Sequence, residues 1–234
     1  MEENVKRLEE IKSAFPKDEE QIQNAETLAD LIKEIRYNFV HYCYNKVLTT
    51  EIINRFHEFN DNEIYADCNA SKGHVLLSAD ADFEIVGSTE VVAINNAKVT
   101  AYNGVTVRAF NDAEVFSYSA FVIAKEYSYV KAYSYSHVDA YDNVDIDAYD
   151  NSRIVSYGET NIHAHNDVHI MLHNSDYVWA TDNVYIKSLF KPKKMWLHNA
   201  AINYAQQEHK VYYSSLSTLK FEKIKCFKFL KFSH

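Results

Sequence analysis

The chain has 234 residues, of which 47% are hydrophobic and 24% charged, with a formal net charge of −9. With only 4 Gly and 2 Pro against 18 Tyr, the composition excludes a disordered or collagen-like polymer and suits one sizeable domain or two small ones. No run of about 18 apolar residues is present, which excludes a helical membrane span, and the opening Met1-Glu2-Glu3-Asn4 lacks the basic and apolar pattern of a secretory leader.

Charge is unevenly spread. Residues 1–74 carry a net −6, residues 75–190 a net −10, and residues 191–234 a net +7, an acidic body with a basic tail. Cys43, Cys68 and Cys226 are odd in number and lack metal-ligand spacing, so reduced thiols and a cytoplasmic location are expected.

The first element is a helix over residues 1–15, with Val5, Leu8, Ile11 and Phe15 at three-to-four spacing and Pro16 ending it. A longer helical stripe runs between about Asp18 and Lys46, through Leu28, Leu31, Ile32, Ile35, Phe39, Val40, Cys43 and Val47. Thr49 is an N-cap candidate for a short helix bearing Ile52, Ile53 and Phe56, stopped by Asn60-Asp61-Asn62. Residues 1–66 therefore read as a helical N-terminal cap. Its apolar stripe either covers the first turn of the repeat domain or serves a dimer or partner.

From Val75 to about Ile186 the chain repeats every eight residues, as in Val99-Thr-Ala-Tyr, Val107-Arg-Ala-Phe, Val138-Asp-Ala-Tyr-Asp-Asn and Ile146-Asp-Ala-Tyr-Asp-Asn. Position 1 is Val, Ile or Phe, position 3 mostly Ala or Ser, and position 7 small or β-branched. Apolar residues at 7, 1 and 3 make a half-buried strand, while Asn and Asp at 5 and 6 supply turn chemistry. Strand and corner repeated in this way predict a parallel β-solenoid over residues 67–190. Small residues at position 3 imply a thin core, hence two facing sheets with two octads per coil.

In that arrangement position 4 stacks in two ladders, Tyr102-Tyr118-Tyr133-Tyr149-His165-Thr181 and Ile94-Phe110-Lys125-Tyr141-Tyr157-His173-Leu189. Acidic residues concentrate at Asp139, Asp142, Asp145, Asp147 and Asp150. They form either a solvated face or a mimic of a nucleic-acid backbone.

One copy has seven residues, Val115 to Phe121, which must pinch a corner or force a bulge. It puts Phe121, Tyr127, Tyr129 and Tyr135, beside Tyr118, on corner or outward positions. A partner-binding surface of Tyr118, Phe121, Tyr127, Tyr129, Tyr135, Asp139, Asp145 and Asp147 is the expectation, with local repacking as its alternative.

Residues 191–234 read as a C-terminal β cap with a basic tail. Ala201–Ala205 and Lys210–Ser214 would form a hairpin across Gln206-Gln-Glu-His, and the final stretch interleaves lysines, among them Lys225 and Lys228, with Phe, Ile and Leu. It is either a last cap strand with snorkelling lysines or an arm for RNA.

There is no Gly-rich phosphate loop, no G-x-S-x-G and no C-x-x-C, and acid pairs recur too regularly for one to stand out. His163 and His165 could chelate, with His169 and His173 nearby, yet two of these four simply take ladder positions. No enzymatic activity, cofactor or metal is expected.

The octads resemble those of the octapeptide β-solenoid proteins of Bacteroidetes and of phages and prophages, although Asn-Asn or Asp-Asn stands where Gly-Asn is common. The resemblance covers about half the chain and implies a mobile-element origin and a host-cell cytoplasmic location. It implies further that the chain is similar to anti-CRISPR inhibitors, here of an RNA-guided type VI effector. The expected function is thus a non-enzymatic interaction protein, a monomer or dimer, that binds a protein or ribonucleoprotein and not a membrane. A self-assembling structural solenoid and a carbohydrate-binding solenoid are the alternatives.

Overall fold

The computed structural model describes residues 2–174, 176–189 and 193–198, and the backbone of 202–205, 209–213 and 227–231. Six short helices come first: α1 (Glu2–Lys12), α2 (Glu20–Gln23), α3 (Leu28–Tyr37), α4 (Phe39–Tyr44), α5 (Thr50–Arg55) and α6 (His57–Asp61). The long stripe is broken where the backbone finds caps. Thr27 caps α3 with a capping box, its hydroxyl accepting from Asp30 N while the Asp30 carboxylate accepts from Thr27 N. Thr49 caps α5 as the sequence predicts, accepting from Ile52 N.

The strands are β1 (Ile64–Ala66), β2 (Ala70–Leu77), β3 (Asp82–Ala93), β4 (Lys98–Ala101), β5 (Thr106–Ala109), β6 (Glu114–Tyr118), β7 (Phe121–Ala124), β8 (Tyr129–Tyr133), β9 (His137–Ala140) and β10 (Asp145–Tyr149). They continue as β11 (Arg153–Ser156), β12 (Asn161–His165), β13 (His169–Leu172), β14 (Tyr177–Thr181), β15 (Tyr185–Ser188), β16 (Lys194–His198), β17 (Ile202–Ala205), β18 (His209–Tyr213) and β19 (Phe227–Lys231). They wind a parallel β-solenoid of about 8 turns. Each strand from β4 to β14 pairs in parallel with the next but one, so Asp145 faces Asn161 and Arg153 faces His169. That step of two octads makes two sheets: a front sheet of the even strands from β4 and a back sheet of the odd strands from β5. β2 and β3 run round the edge and serve both.

Positions 1 and 3 point inward, and Val91, Ala93, Val99, Ala101, Val107 and Ala109 are completely buried in one continuous core. At the corners, the position-7 N–H donates to the position-4 carbonyl three residues back, as in Val105 to Tyr102 at 3.1 Å and Ser152 to Tyr149 at 3.3 Å. Position 5 accordingly takes positive φ at Asn95, Asn111, Asp142, Asn166 and Asp182, a conformation Asn and Asp tolerate better than other side-chain-bearing residues. The expected ladders form. Tyr118, Tyr133, Tyr149 and His165 stack at 4.9–5.1 Å, and Tyr141, Tyr157 and His173 at 4.8–4.9 Å.

The seven-residue copy pinches its corner without disturbing either sheet. β6 and β8 stay in register over a step shortened by one residue, Glu114 facing Tyr129. The Ser136 hydroxyl from the next coil fills the gap, accepting from Ser119 N at 2.9 Å and donating to the Tyr133 carbonyl at 2.6 Å.

The helical head covers more than the first turn. α5 and α6 pack on β1, and the head's core of Ile35, Phe39, Cys43, Ile53 and Phe59 also takes in Leu76, Val92 and Phe110. These three are outward or corner positions of the solenoid, so the head lies along the back sheet as well.

The C-terminal strands correct the expected hairpin. β17 and β18 pair in parallel with β15 and β16, and not with each other. The solenoid also runs past residue 190, since Val178 faces Met195 across a coil one residue longer than two octads. Once one residue is inserted, the alternation of Lys194–His198 meets the edge of β14 in register, and a strand laid on an open edge satisfies a full row of backbone groups. Among the described residues no helix is long and apolar enough to cross a membrane.

Candidate functional site

A cavity of about 600 Å³ is a notch on the outer face of the front sheet. Its side chains come from the two outward positions of successive even strands. Position 8 supplies Tyr129, Asp145, Asn161 and Tyr177, and position 2 supplies Asp147, His163, Trp179 and Trp196, each in register with the next. Two short side chains, Asp145 and Asn161, thus lie between two tyrosines three layers apart, roughly 14 Å at about 4.8 Å per layer. The notch exists because side-chain length drops there and recovers.

The walls are held by their own bonds. Tyr129 donates its hydroxyl to Asp147 Oδ2 at 2.5 Å, and His163 Nδ1 lies 3.3 Å from Asp147 Oδ1. Asn161 donates to Asp145 Oδ1 at 2.6 Å. Burial, and then the bond to Asp147, push the Tyr129 hydroxyl well above its ordinary pKa, so it stays a donor. The His163 ring meets Trp179 edge-on at 6.2 Å, and Trp179 stacks on Trp196 at 6.1 Å. Lys194 Nζ lies 4.3 Å from the centre of the Trp196 ring and Lys193 Nζ 5.5 Å from that of Tyr177. Trp179 remains 51% exposed, presenting an edge rather than an open face.

Of the residues expected to bind a partner, the structure brings Tyr129, Asp145 and Asp147 together here. The others disperse. Tyr118 belongs to the stacked ladder. Phe121 lies on the back sheet against His137, and Asp139 is on that same sheet, 3.1 Å from His137 Nε2. Tyr127 and Tyr135, both well exposed, sit on opposite edges, one in the β7–β8 corner and the other in the β8–β9 corner. Lys225 lies outside the described residues, and Lys228 is described only as backbone of β19. Sequence reasoning missed Asn161, Tyr177, Trp179 and Trp196. The signal was present, because large aromatics at positions 2 and 8 of one column depart from the polar residues usual there.

The four histidines separate. His165 stacks on Tyr149 and bonds Thr181 Oγ1 at 2.8 Å, His173 stacks on Tyr157, His163 lines the notch and His169 faces Tyr185 on the back sheet. Among the described residues no group of three His, Cys, Asp or Glu side chains is arranged to hold a metal ion.

A second polar feature is buried. Asp176 occupies a core position 7, fully enclosed. Its Oδ1 accepts from Ser156 Oγ at 2.6 Å, Thr160 Oγ1 at 2.7 Å and Thr160 N at 3.1 Å, while Oδ2 has no partner among the described residues. Burial outweighs those donors and pushes the carboxyl up to about 6.

Against family models, curated proteins and solved structures, the chain finds no match.

Proposed function

We propose that the chain is a non-enzymatic interaction protein whose rigid acidic solenoid docks a protein or ribonucleoprotein partner at the front-sheet notch. One observation carries this reading. Exposed aromatic edges and two carboxylates, Asp145 and Asp147, are already locked by neighbouring side chains on a rigid sheet. Aromatic anchors that need no ordering on binding are what interface hot spots are made of, and the carboxylates favour a basic patch opposite. A sugar platform needs an open ring face, whereas Trp196 and Tyr177 carry lysines and Trp179 is stacked. End-to-end assembly is disfavoured at the first coil, where α5 and α6 cover β1. The narrower reading, an inhibitor of an RNA-guided type VI effector, rests on the octapeptide resemblance alone.

The test is affinity capture from a lysate of the host cell, with a purified type VI effector ribonucleoprotein as a separate prey. Wild type is compared with Trp179→Ala, with Asp145→Asn/Asp147→Asn, and with the back-sheet control Asp139→Asn. A stoichiometric partner held by wild type and D139N and lost by both notch variants supports the reading. Identical retention by all four proteins refutes it.

A further inference from the structure

A second cavity, of about 460 Å³, opens where the head meets the solenoid, between the end of α3, α4 and the back-to-front corner at Phe110 and Lys125. Its charge is opposite to that of the body. Arg36, Arg108 and Lys125 line it against one carboxylate, Glu90. Glu90 is already engaged, by Arg108 and by His74 at 3.8 Å. Among the described residues neither Arg36 nor Lys125 has a carboxylate within ion-pair distance. On a chain of net −9, two cations without a carboxylate converging on one crevice are an exception to the surrounding field.

The crevice also holds an unused ring. Tyr37 is 86% exposed and has no ring partner among the described residues. Its neighbour Tyr44, by contrast, packs on Phe110 at 4.7 Å and donates to Glu126 at 3.0 Å. Tyr37 thus lines the crevice with Arg36 and Lys125 while stacking on no other described ring, and the Lys125 ammonium lies 5.3 Å from the centre of the Tyr141 ring.

We infer that this crevice binds a nucleoside phosphate, the phosphate on Arg36, Lys125 and Arg108 and the base stacked on Tyr37. Guanidinium groups bind phosphate oxygens through paired N–H donors, and a base stacked on an aromatic ring contributes about 1–3 kcal/mol whatever its identity. The volume lies within the range of small-ligand sites. A free nucleotide and one residue of a single-stranded RNA present the same chemistry. The site is separate from the notch, so a partner made of protein and RNA could engage both.

Binding of 5′-AMP, adenosine, inorganic phosphate and a fluorescent single-stranded RNA decamer to the full chain tests this. The wild type is expected to bind AMP or the decamer at least tenfold more tightly than adenosine or inorganic phosphate. Which of the two binds more tightly identifies the source. Arg36→Glu/Lys125→Glu should weaken binding at least tenfold and make the salt slope of decamer binding shallower by about 1.4. Tyr37→Ala should weaken AMP binding several-fold and leave phosphate binding unchanged. Thermal melts matching wild type show that these surface variants fold. Lys225→Glu/Lys228→Glu should retain binding. The proposal is overturned if neither AMP nor the decamer binds, if R36E/K125E binds like wild type, if phosphate binds as well as AMP, or if only the tail variant loses RNA.

Discussion

Asp176→Asn turns a buried carboxyl into a measurable pH slope. In the folded chain Asp176 titrates near 6 because it is enclosed, with three donors on Oδ1 and, among the described residues, none on Oδ2. In the unfolded chain it titrates near the ordinary ~3.9. Between those values the folded protein keeps a proton that the unfolded chain has released, so stability falls as pH rises. The contribution is fully present below about pH 4 and gone above about pH 6. Two units at 1.36 kcal/mol each give about 3 kcal/mol. Asparagine keeps the acceptor for Ser156 and Thr160 and carries no charge at any pH, so the variant loses this slope. Urea unfolding of both proteins from pH 4 to pH 7.5 isolates the effect, because titrations common to both cancel in the difference. The wild type should lose about 3 kcal/mol relative to D176N across that range. If coils open separately, the same trend appears in hydrogen exchange at the Thr160 amide, which donates to Asp176. A difference constant with pH to within about 0.5 kcal/mol would show that Asp176 is solvated and refute the reasoning.

Close packing between coils yields the other predictions. At Gly158 a Cβ would meet the Asp142 backbone N and O well inside 3.0 Å, so Gly158→Ala should cost about 2–4 kcal/mol in urea unfolding. Tyr149→Ala removes two ring stacks, on Tyr133 and His165, whereas Tyr102→Ala at the ladder end removes only the one on Tyr118. At roughly 0.5–1.5 kcal/mol per stack, Y149A should lose more stability, and equal losses would mean that the ladder contributes only area. Leu76→Asp puts an unpaired charge under the head, between its in-register neighbours Ala66 and Val92, at a cost on the order of 3 kcal/mol. Limited proteolysis should then cut residues 1–60 while β4–β15 stay protected.

Local chemistry made much of this fold legible. Position 5 reads as a turn because Asn and Asp tolerate positive φ, and positions 1 and 3 read as core because a strand alternates sides. The small Ala and Ser at position 3 leave room for only two sheets, and with two octads per coil the Tyr ladders follow by counting. The hairpin expected near residue 205 failed for a physical reason: a strand beside a growing solenoid has an open edge to join, which local pattern does not show. The aromatic residues around the short copy do not gather in one cluster, because successive octads alternate between the sheets and Phe121 on β7 and Tyr129 on β8 therefore face opposite sides.

The notch and the basic crevice belong to the tertiary structure. Tyr129, Asp145, Asn161 and Tyr177 are sixteen residues apart at each step, and Arg36 is far from Lys125 in the chain. Winding the coils and laying the head along the back sheet brings each set together. What the octapeptide determined alone is the scaffold, since its period encodes contacts between copies of itself. Surface chemistry depends on which unlike side chains share a column, and only the register between coils decides that.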